Sequence, residues 1–211
     1  MAKKIKFKHG RPNKNSRILN RETILEASFA LANQIGYENL SMKLIADQLE
    51  IRPPSLYNHI DDIAVVKIEI AGMALKKLAS HLKEAVEEKT KTTEDKQKIF
   101  RMLIFAYREF AKSNRGVYAA VLPSAEKHDV QMEASKEIIS ICMQTMDLGP
   151  VLDSSGVHKI RILRASLHGF VSLEAAEGFG LPESVEETFS ILTDQLIKML
   201  LPEKPTNTTS K

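Results

Sequence analysis

The chain of 211 residues presents four hydrogen-bonding side chains within five positions, directly after a pair of prolines: Ser55, Tyr57, Asn58 and His59. Leu56 and Ile60 are four residues apart, so a helix over about residues 54–60 places both on one face and points Pro54 and the polar side chains outward. Hydroxyl, amide and imidazole groups donate to phosphate oxygens or meet base edges. The pattern predicts a short helix that contacts nucleic acid.

Two preceding helices must hold so short a helix in place. Asn20 is a candidate N-cap for a helix over Arg21–Ile35, and Ser41 for one over Met42–Leu49. Two helices joined by a tight turn, the second one short, are typical of a helix-turn-helix, whose second helix enters the DNA major groove. The alternative is a plain helical hairpin in a bundle core, which needs neither the prolines nor an uncovered polar face.

The net positive charge is concentrated in the N-terminal third of the chain. Residues 1–67 carry 11 Lys/Arg against 7 Asp/Glu, whereas residues 68–211 carry 19 against 20. A basic end beside a neutral body suggests an anionic partner, with nucleic acid ahead of a membrane surface. A solvated tail of lysines is the alternative.

The rest of the chain has helical periodicity throughout. Helices are predicted over about residues 63–89, 94–113, 116–121, 129–146, 157–177 and 184–201. The predicted class is all-α, with an N-terminal three-helix DNA-binding unit joined by a long helix to a C-terminal helical domain for ligand binding and dimerisation. The predicted divisions are a basic arm (1–19), the helix-turn-helix domain (20–65), the helical domain (66–202) and a disordered tail (203–211).

Composition restricts the remaining classes. No apolar run reaches the roughly 20 residues of a membrane span, and the basic N-terminus lacks the apolar stretch of a secretory signal. The single cysteine, Cys142, excludes an intrachain disulfide and fits the cytoplasm. No phosphate-binding loop, nucleophile–base pair or metal-ligand spacing is evident, so no enzymatic activity, metal or cofactor is predicted.

The run LSMKLIADQLEIRPPSLYNHI (residues 40–60) resembles the DNA-binding motif of the TetR family of repressors. The matching features are Ile45-Ala46 on the second helix and the run LYNHI on the third, preceded by ILEASFALANQIGYENLSM. The resemblance covers about residues 20–70. It implies a homodimer that binds palindromic double-stranded operator DNA.

The resemblance also implies roles for individual residues. Base contacts are implied for Lys43, Ser55 and Asn58, with Ser55 also a backbone contact and Asn58 a reader of adenine. Phosphate contacts are implied for Ser41, Arg52, Tyr57 and His59, and Pro54 would pack against the groove floor. In the basic arm, Gly-Arg-Pro is similar to the core of AT-hook arms, which implies that Arg11 enters a minor groove.

Two positions depart from the family pattern. Glu50 occupies the turn position that is usually Gly, so either a non-Gly residue adopts positive φ at a cost of roughly 1 kcal/mol or the turn differs. Ile63 stands where the family has a phosphate-binding Lys, and Lys67, one turn further on, is the candidate substitute.

The last two helices are candidates for a dimer interface in a four-helix bundle. Their apolar stripes are Val157, Ile160, Arg164, Leu167 and Val171, and Val185, Phe189, Leu192, Leu196 and Met199. The alternative is that the stripes face their own core. The run RASLHGFVSLEAAEGFGLPESVEETF resembles the ligand-binding region of a TetR subgroup with His-Gly and Leu-Glu on the penultimate helix.

That second resemblance implies a pocket for a small apolar or amphipathic effector. Its implied lining is Met102, Phe105, Tyr118, Met143, His168 and Phe170. An effector there would move the long helix and change operator affinity. A different class remains open: a helical interaction module whose basic arm binds RNA or acidic surfaces.

Overall fold

The computed structural model describes residues 19–90, 95–121 and 129–201, and the regular structure within these ranges is helical. The α-helices are α1 (Arg21–Ile35), α2 (Met42–Leu49), α3 (Pro53–Tyr57), α4 (Ile63–Thr90), α5 (Lys96–Ser113), α6 (Arg115–Tyr118), α7 (Asp129–Met146), α8 (Ser154–Ala175) and α9 (Val185–Leu200). Single 3-10 turns occupy Tyr37–Asn39 and Ala119–Val121. The predicted all-α class is confirmed.

Helices α1, α2 and α7 begin and end at the predicted residues, and the others differ at their ends. Helix α3 covers Pro53–Tyr57 rather than residues 54–60. Helix α8 begins three residues before the predicted start because Asp153 caps it, its Oδ1 accepting from the Gly156 N–H at 2.7 Å. The predicted start at residue 157 was wrong, since the Asp-Ser-Ser-Gly run was assigned to a loop.

The described residues form two compact units. The first contains residues 19–77, 114–121 and 129–135, and the second contains residues 78–90, 95–113 and 136–201. Helices α4 and α7 each contribute residues to both units. The division predicted near residue 65, between a three-helix DNA-binding domain and a larger helical domain, stays a prediction.

In the first unit, α1 packs against α2 and α6, and α2 packs against α3. The core between them is apolar: Ile24, Ala27, Ile45, Ala46, Leu49 and Leu56 are almost fully buried. Ala46 leaves room for α2 and its neighbours to approach closely. This small core fixes the orientation of α3, which has too few residues to be stable as an isolated helix.

In the second unit, α5 packs against both α8 and α9, which also pack against each other. Phe100 and Leu103 of α5 and Phe189 and Leu196 of α9 are buried there. The phenylalanines dominate this core because each ring buries a large apolar area.

Candidate DNA-binding site

The helix-turn-helix begins with two well-formed caps. Asn20 and Thr23 form a capping box at the start of α1, the Asn20 Oδ1 accepting from the Thr23 N–H at 2.8 Å. Ser41 caps α2, its Oγ accepting from the Leu44 N–H at 3.3 Å. The Ser41 hydroxyl keeps its own proton to donate, so capping is compatible with the phosphate contact predicted for it.

The turn between α2 and α3 retains the geometry that glycine favours, although it contains glutamate. Glu50 is left-handed, with φ 55° and ψ 38°. Its N–H donates to the Asp47 carbonyl at 3.2 Å, and the Ile51 N–H donates to the Ala46 carbonyl at 3.0 Å. These two bonds form a Schellman motif. The sequence allows either a non-Gly residue with positive φ or a different turn at this position. The structure shows the first, with Glu50 in the left-handed region.

Helix α3 is held by apolar side chains on one face. Leu56 and Ile60 are buried to within 1% of complete burial, and the Leu56 carbonyl accepts from the His59 N–H at 2.8 Å and the Ile60 N–H at 3.0 Å. Proline at the first helical positions needs no hydrogen bond there. The short helix is therefore stabilised by packing on its neighbours.

The opposite face of α3 carries the side chains predicted to contact DNA. Pro54, Tyr57 and Asn58 are exposed, whereas Ser55 and His59 are half-buried. Tyr57 is 54% exposed, which is high for a large aromatic residue. The structure thus brings these five residues together on one short surface, which a DNA groove can accommodate.

The helix-turn-helix also exposes two cations. Lys43 is exposed on α2, and Arg52 is exposed at the N-cap of α3. Among the described residues, neither side chain has an ion-pair partner, so both can neutralise phosphate. Arg11 lies outside the described residues.

Lys67 has a different environment from Lys43 and Arg52. Its Nζ donates to the Glu38 carbonyl at 3.2 Å and to Glu38 Oε2 at 3.3 Å, and lies 5.2 Å from the centre of the Tyr37 ring. The Tyr37 hydroxyl donates to the Lys67 carbonyl at 3.1 Å. Burial and the Glu38 charge raise the pKa of Tyr37. The sequence analysis did not predict these contacts of Lys67 with Glu38 and Tyr37. A phosphate contact by Lys67 would require its ammonium group to leave Glu38.

The six residues predicted to line an effector pocket are not all in one unit. Tyr118 is buried in the first unit, and the other five belong to the second. Phe105 and Phe170 both contact Phe189, with ring centres 5.2 and 4.9 Å apart respectively. Met102 and Met143 are half-buried on α5 and α7.

His168 is half-buried on α8, where its Nε2 lies 3.4 Å from the Ser172 hydroxyl. Burial lowers the pKa of His168, and the charge of Arg164 lowers it further. A neutral imidazole has one donor and one acceptor nitrogen, and here Nε2 already faces the Ser172 hydroxyl. This environment is compatible with the predicted ligand contact, which stays a prediction.

An ion network around the buried Arg108 joins α5 to the ends of α8 and α9. The Arg108 guanidinium donates to Glu174 Oε2 at 2.9 Å and to both Glu186 oxygens, at 2.6 and 2.9 Å. It also lies 4.5 Å from the centre of the Phe189 ring. Lys112 approaches both glutamates, at 3.7 and 3.5 Å. Sequence reasoning missed this network because its partners are 66 and 78 residues from Arg108.

The described ranges contain no group of three His, Cys, Asp or Glu side chains arranged to bind a metal ion. Nor does any helix there combine the length and the apolar character that crossing a membrane requires.

Comparison with known proteins decides the family. Residues 24–61 match the family model for bacterial regulatory proteins of the tetR family, and residues 100–196 match the tetracyclin repressor-like C-terminal domain. An uncharacterised HTH-type transcriptional regulator of Bacillus subtilis, YobS, is 31% identical over 87% of this chain and 93% of its own length. The chain belongs to the TetR family of transcriptional regulators.

Solved structures with the same fold agree with this TetR-family assignment. A Rhodococcus protein of unknown function superposes with a TM-score of 0.71 at 20% identity, covering 90% of this chain and all of that one. A TetR variant from Acinetobacter baumannii in complex with minocycline superposes with a TM-score of 0.61 at 18% identity, covering 86% and 96%.

The family assignment confirms the helix-turn-helix followed by a helical C-terminal domain. It also places this chain among DNA-binding transcriptional regulators. The resemblance to one particular TetR subgroup, based on His168-Gly169 and Leu173-Glu174, stays a prediction.

Proposed function

We propose that this TetR-family regulator is a cytoplasmic repressor that binds a palindromic operator as a homodimer and is released by a small apolar or amphipathic effector. The observation that carries the proposal is the surface of α3. On one side Leu56 and Ile60 are fully buried, while Tyr57 and Asn58 are exposed, as is Lys43 of α2. A short helix with one buried face and one uncovered polar face fits into a major groove.

The chemistry of each side chain supports a division of roles. Lys43 can donate to guanine acceptors, and the Asn58 amide can both donate to and accept from adenine. Phosphates are suitable partners for the hydroxyls of Ser41 and Tyr57 and for the Arg52 guanidinium. Ser55 and His59 are half-buried. They would therefore contact the DNA sugar–phosphate backbone where it passes the edge of α3.

Part of the apolar stripes predicted from the sequence is not available to a partner subunit. Leu167, Val171, Phe189 and Leu196 of those stripes are buried inside their own chain, which supports, for these four positions, the alternative that they face their own core. A helical period identifies the apolar face of a helix but not what packs on it. Here α5 covers those faces.

The outer faces of α8 and α9 remain available for a partner. They expose Ile162 and Leu173 on α8, and Ile191 and Met199 on α9. Between the first two, Gly169 faces open space, since a Cβ added there meets nothing within 4 Å. A second copy placing its own α8 and α9 on this surface would form the four-helix bundle that the homodimer requires.

The effector part of the proposal is supported by the second unit. The matching family model describes a repressor-like C-terminal domain, and the fold is that of a protein solved with minocycline. The implied lining is aromatic and sulfur-rich, with His168 as its polar group, which suits an apolar or amphipathic molecule. Coupling of about 1–3 kcal/mol would change operator affinity by about 5- to 150-fold, and operator binding would weaken effector binding equally.

The test is a fluorescence anisotropy titration against the DNA upstream of the chain's own gene, at two salt concentrations. Wild type is compared with Tyr57→Phe and Lys43→Ala, and Lys98→Ala on α5 is the matched loss of one exposed positive charge. Tyr57→Phe should weaken binding to all sequences. Lys43→Ala should cost about 1–3 kcal/mol at the operator and relax its sequence preference, while Lys98→Ala should bind like wild type.

The alternative function predicts a different result. A helical interaction module with a basic arm would bind DNA, RNA and acidic surfaces without sequence preference, and Tyr57→Phe and Lys43→Ala would bind like Lys98→Ala. That result would overturn the repressor proposal.

A further inference from the structure

The folded part of the DNA-binding unit carries few cations for its proposed ligand. The region that matches the tetR-family model, residues 24–61, contains Lys43 and Arg52 against five Asp/Glu. DNA affinity at physiological salt depends largely on Lys/Arg that neutralise phosphates. The availability of any further cation of this unit to phosphate therefore has a large effect on affinity.

Lys67, near the start of α4, is such a cation, but its ammonium is bound by the turn that precedes α2. Its Nζ donates to the Glu38 carbonyl at 3.2 Å and to Glu38 Oε2 at 3.3 Å, and it lies 5.2 Å from the centre of the Tyr37 ring. The Lys67 side chain is 26% exposed, whereas that of Glu38 is 76% exposed. Glu38 is thus the solvent-facing member of the pair.

The main chain of Lys67 is fixed at the same turn. The Tyr37 hydroxyl donates to the Lys67 carbonyl at 3.1 Å, and Tyr37 belongs to the same 3-10 turn, Tyr37–Asn39, as Glu38. An ammonium has three donors, and the two oxygens of Glu38 occupy two of them. A phosphate would therefore compete with Glu38 for the Lys67 ammonium.

This turn lies next to the end of α2 that is proposed to contact DNA. Glu38 is three residues before Ser41, the N-cap of α2, so their Cα atoms are at most about 11 Å apart. Electrostatic interactions extend over about 10 Å at 0.1 M salt. A phosphate at Ser41 would be repelled by the Glu38 carboxylate and attracted by the Lys67 ammonium, so the pair as a whole contributes little to binding.

We propose that Glu38 limits the DNA affinity of this regulator by keeping Lys67 from binding a DNA phosphate. The inference rests on the proposed function, which places DNA against α2 and α3. Because a phosphate contact carries no sequence information, the restraint lowers the affinity for every duplex equally. Lys43 and the exposed face of α3 still supply the sequence preference.

The experiment compares three variants of the full-length chain with wild type. Glu38→Gln releases Lys67, and Glu38→Gln/Lys67→Gln removes the released cation as well. Glu26→Gln, exposed on α1 and in no ion pair among the described residues, is the control for one lost negative charge in the same unit. Anisotropy titrations between about 50 and 200 mM salt, against the operator and a scrambled duplex, give the slope of log K against log salt.

Each phosphate contact contributes about 0.9 to that slope. In a dimer, Glu38→Gln should steepen the slope by about 1.8, so that its gain over wild type is about tenfold larger at the lowest salt concentration than at the highest. The gain should be equal for the operator and the scrambled duplex. The double variant should return to the wild-type affinity and slope, and Glu26→Gln should leave both unchanged.

Three results would overturn the inference. If Glu38→Gln binds like Glu26→Gln, Glu38 does not limit the affinity. If the double variant keeps the gain of Glu38→Gln, the gain comes from the lost carboxylate and not from Lys67. If the slope of the double variant is shallower than that of wild type by about 1.8, Lys67 already contacts phosphate in the wild-type complex.

The proposed function and this inference fail in different ways. If wild type does not distinguish the operator from the scrambled duplex, the repressor proposal fails. If wild type distinguishes them but Glu38→Gln keeps the wild-type slope, only the inference fails.

Discussion

At the scale of single residues, three helices end on an acidic side chain in the left-handed region. They are Glu50, Asp147 and Glu177, with φ of 55°, 56° and 54°. Each is followed by an N–H that donates back to the carbonyl five residues earlier, at 2.8 to 3.0 Å. Glycine is usual at such positions because a Cβ is strained there. An acidic side chain at a helix C-terminus is also unfavourable for the helix dipole.

Replacing Glu50 with glycine should therefore stabilise the protein. Relief of left-handed strain contributes about 1–2 kcal/mol, and the greater freedom of glycine in the unfolded chain offsets about 0.5–1 kcal/mol. We expect a net gain of about 1 kcal/mol for Glu50→Gly, measured by urea denaturation. Gln48→Gly, inside α2, is the control and should lose about 1 kcal/mol. If both variants lose stability, the left-handed backbone of Glu50 costs less free energy than glycine loses through its freedom in the unfolded chain.

Residue-scale features were predictable where they are local. The caps Asn20 and Ser41 were predicted, because a cap joins a side chain to an N–H three residues further on. The sequence allows a positive φ at Glu50 only as one of two alternatives, because the backbone geometry at the turn depends on how α2 and α3 pack. The contact of Lys67 with Glu38 spans 29 residues, and no local pattern indicates it.

At the scale of elements, α6 and the end of α1 meet backbone to backbone at Gly116. A Cβ added there would lie 2.4 Å from the carbonyl oxygens of Ala32 and Asn33. The Gly116 N–H also donates to Asn33 Oδ1 at 3.2 Å. Since carbonyls within a helix cannot move freely, only glycine allows this approach.

Gly116→Ala should destabilise the first unit by about 1–3 kcal/mol, the usual cost of overpacking. Urea denaturation measures the change. Gly180→Ala, in the loop between α8 and α9 where the added Cβ meets nothing within 4 Å, is the matched control and should be neutral or slightly stabilising. Equal stability of the two variants would mean that α6 does not pack on α1 in solution.

The ion network of α5, α8 and α9 should make stability depend on acid pH. Hydrogen bonds from Arg108 are the largest cause of the lowered pKa of both Glu174 and Glu186. Because each folded-state pKa lies below the ordinary value of 4.5, the stabilisation is complete above about pH 5 and is lost as pH falls through the folded values.

Glu174→Gln should be less stable than wild type at pH 7 and should lose less stability between pH 5 and pH 3. Thermal unfolding across this range checks both effects, with Glu84→Gln, exposed on α4, as the control for a lost surface carboxylate. Identical slopes for wild type and Glu174→Gln would show that Arg108 does not hold the charged form of Glu174.

The positions of the helices were easier to predict than which helices pack against each other. The 3.6-residue period located all the helices to within a few residues, because it is set by the sequence along one helix. Which helix covers each apolar face is decided by contacts between distant segments. For this reason the sequence predicts the apolar stripes on α8 and α9 but leaves open whether Leu167 and Phe189 face a second subunit or, as observed, the interior of their own chain.

At the scale of the whole molecule, the proposed function requires two copies. Single exposed apolar side chains are common on surfaces, but the outer faces of α8 and α9 expose Ile162, Leu173, Ile191 and Met199 at 40 to 58%. Burying a charge in such an interface without a partner is costly. Glutamate on these faces should therefore prevent dimerisation without disturbing the core of either chain.

We expect Ile162→Glu/Ile191→Glu to be a folded monomer at concentrations where wild type is a dimer, as measured by light scattering after size-exclusion chromatography. Operator affinity should fall by about 100-fold or more, because linking two readers adds an effective concentration that a monomer loses. Binding to a single half-site should be unchanged. Val151→Glu, exposed in the loop before α8, is the control; a double variant that stays dimeric would place the interface elsewhere on the chain.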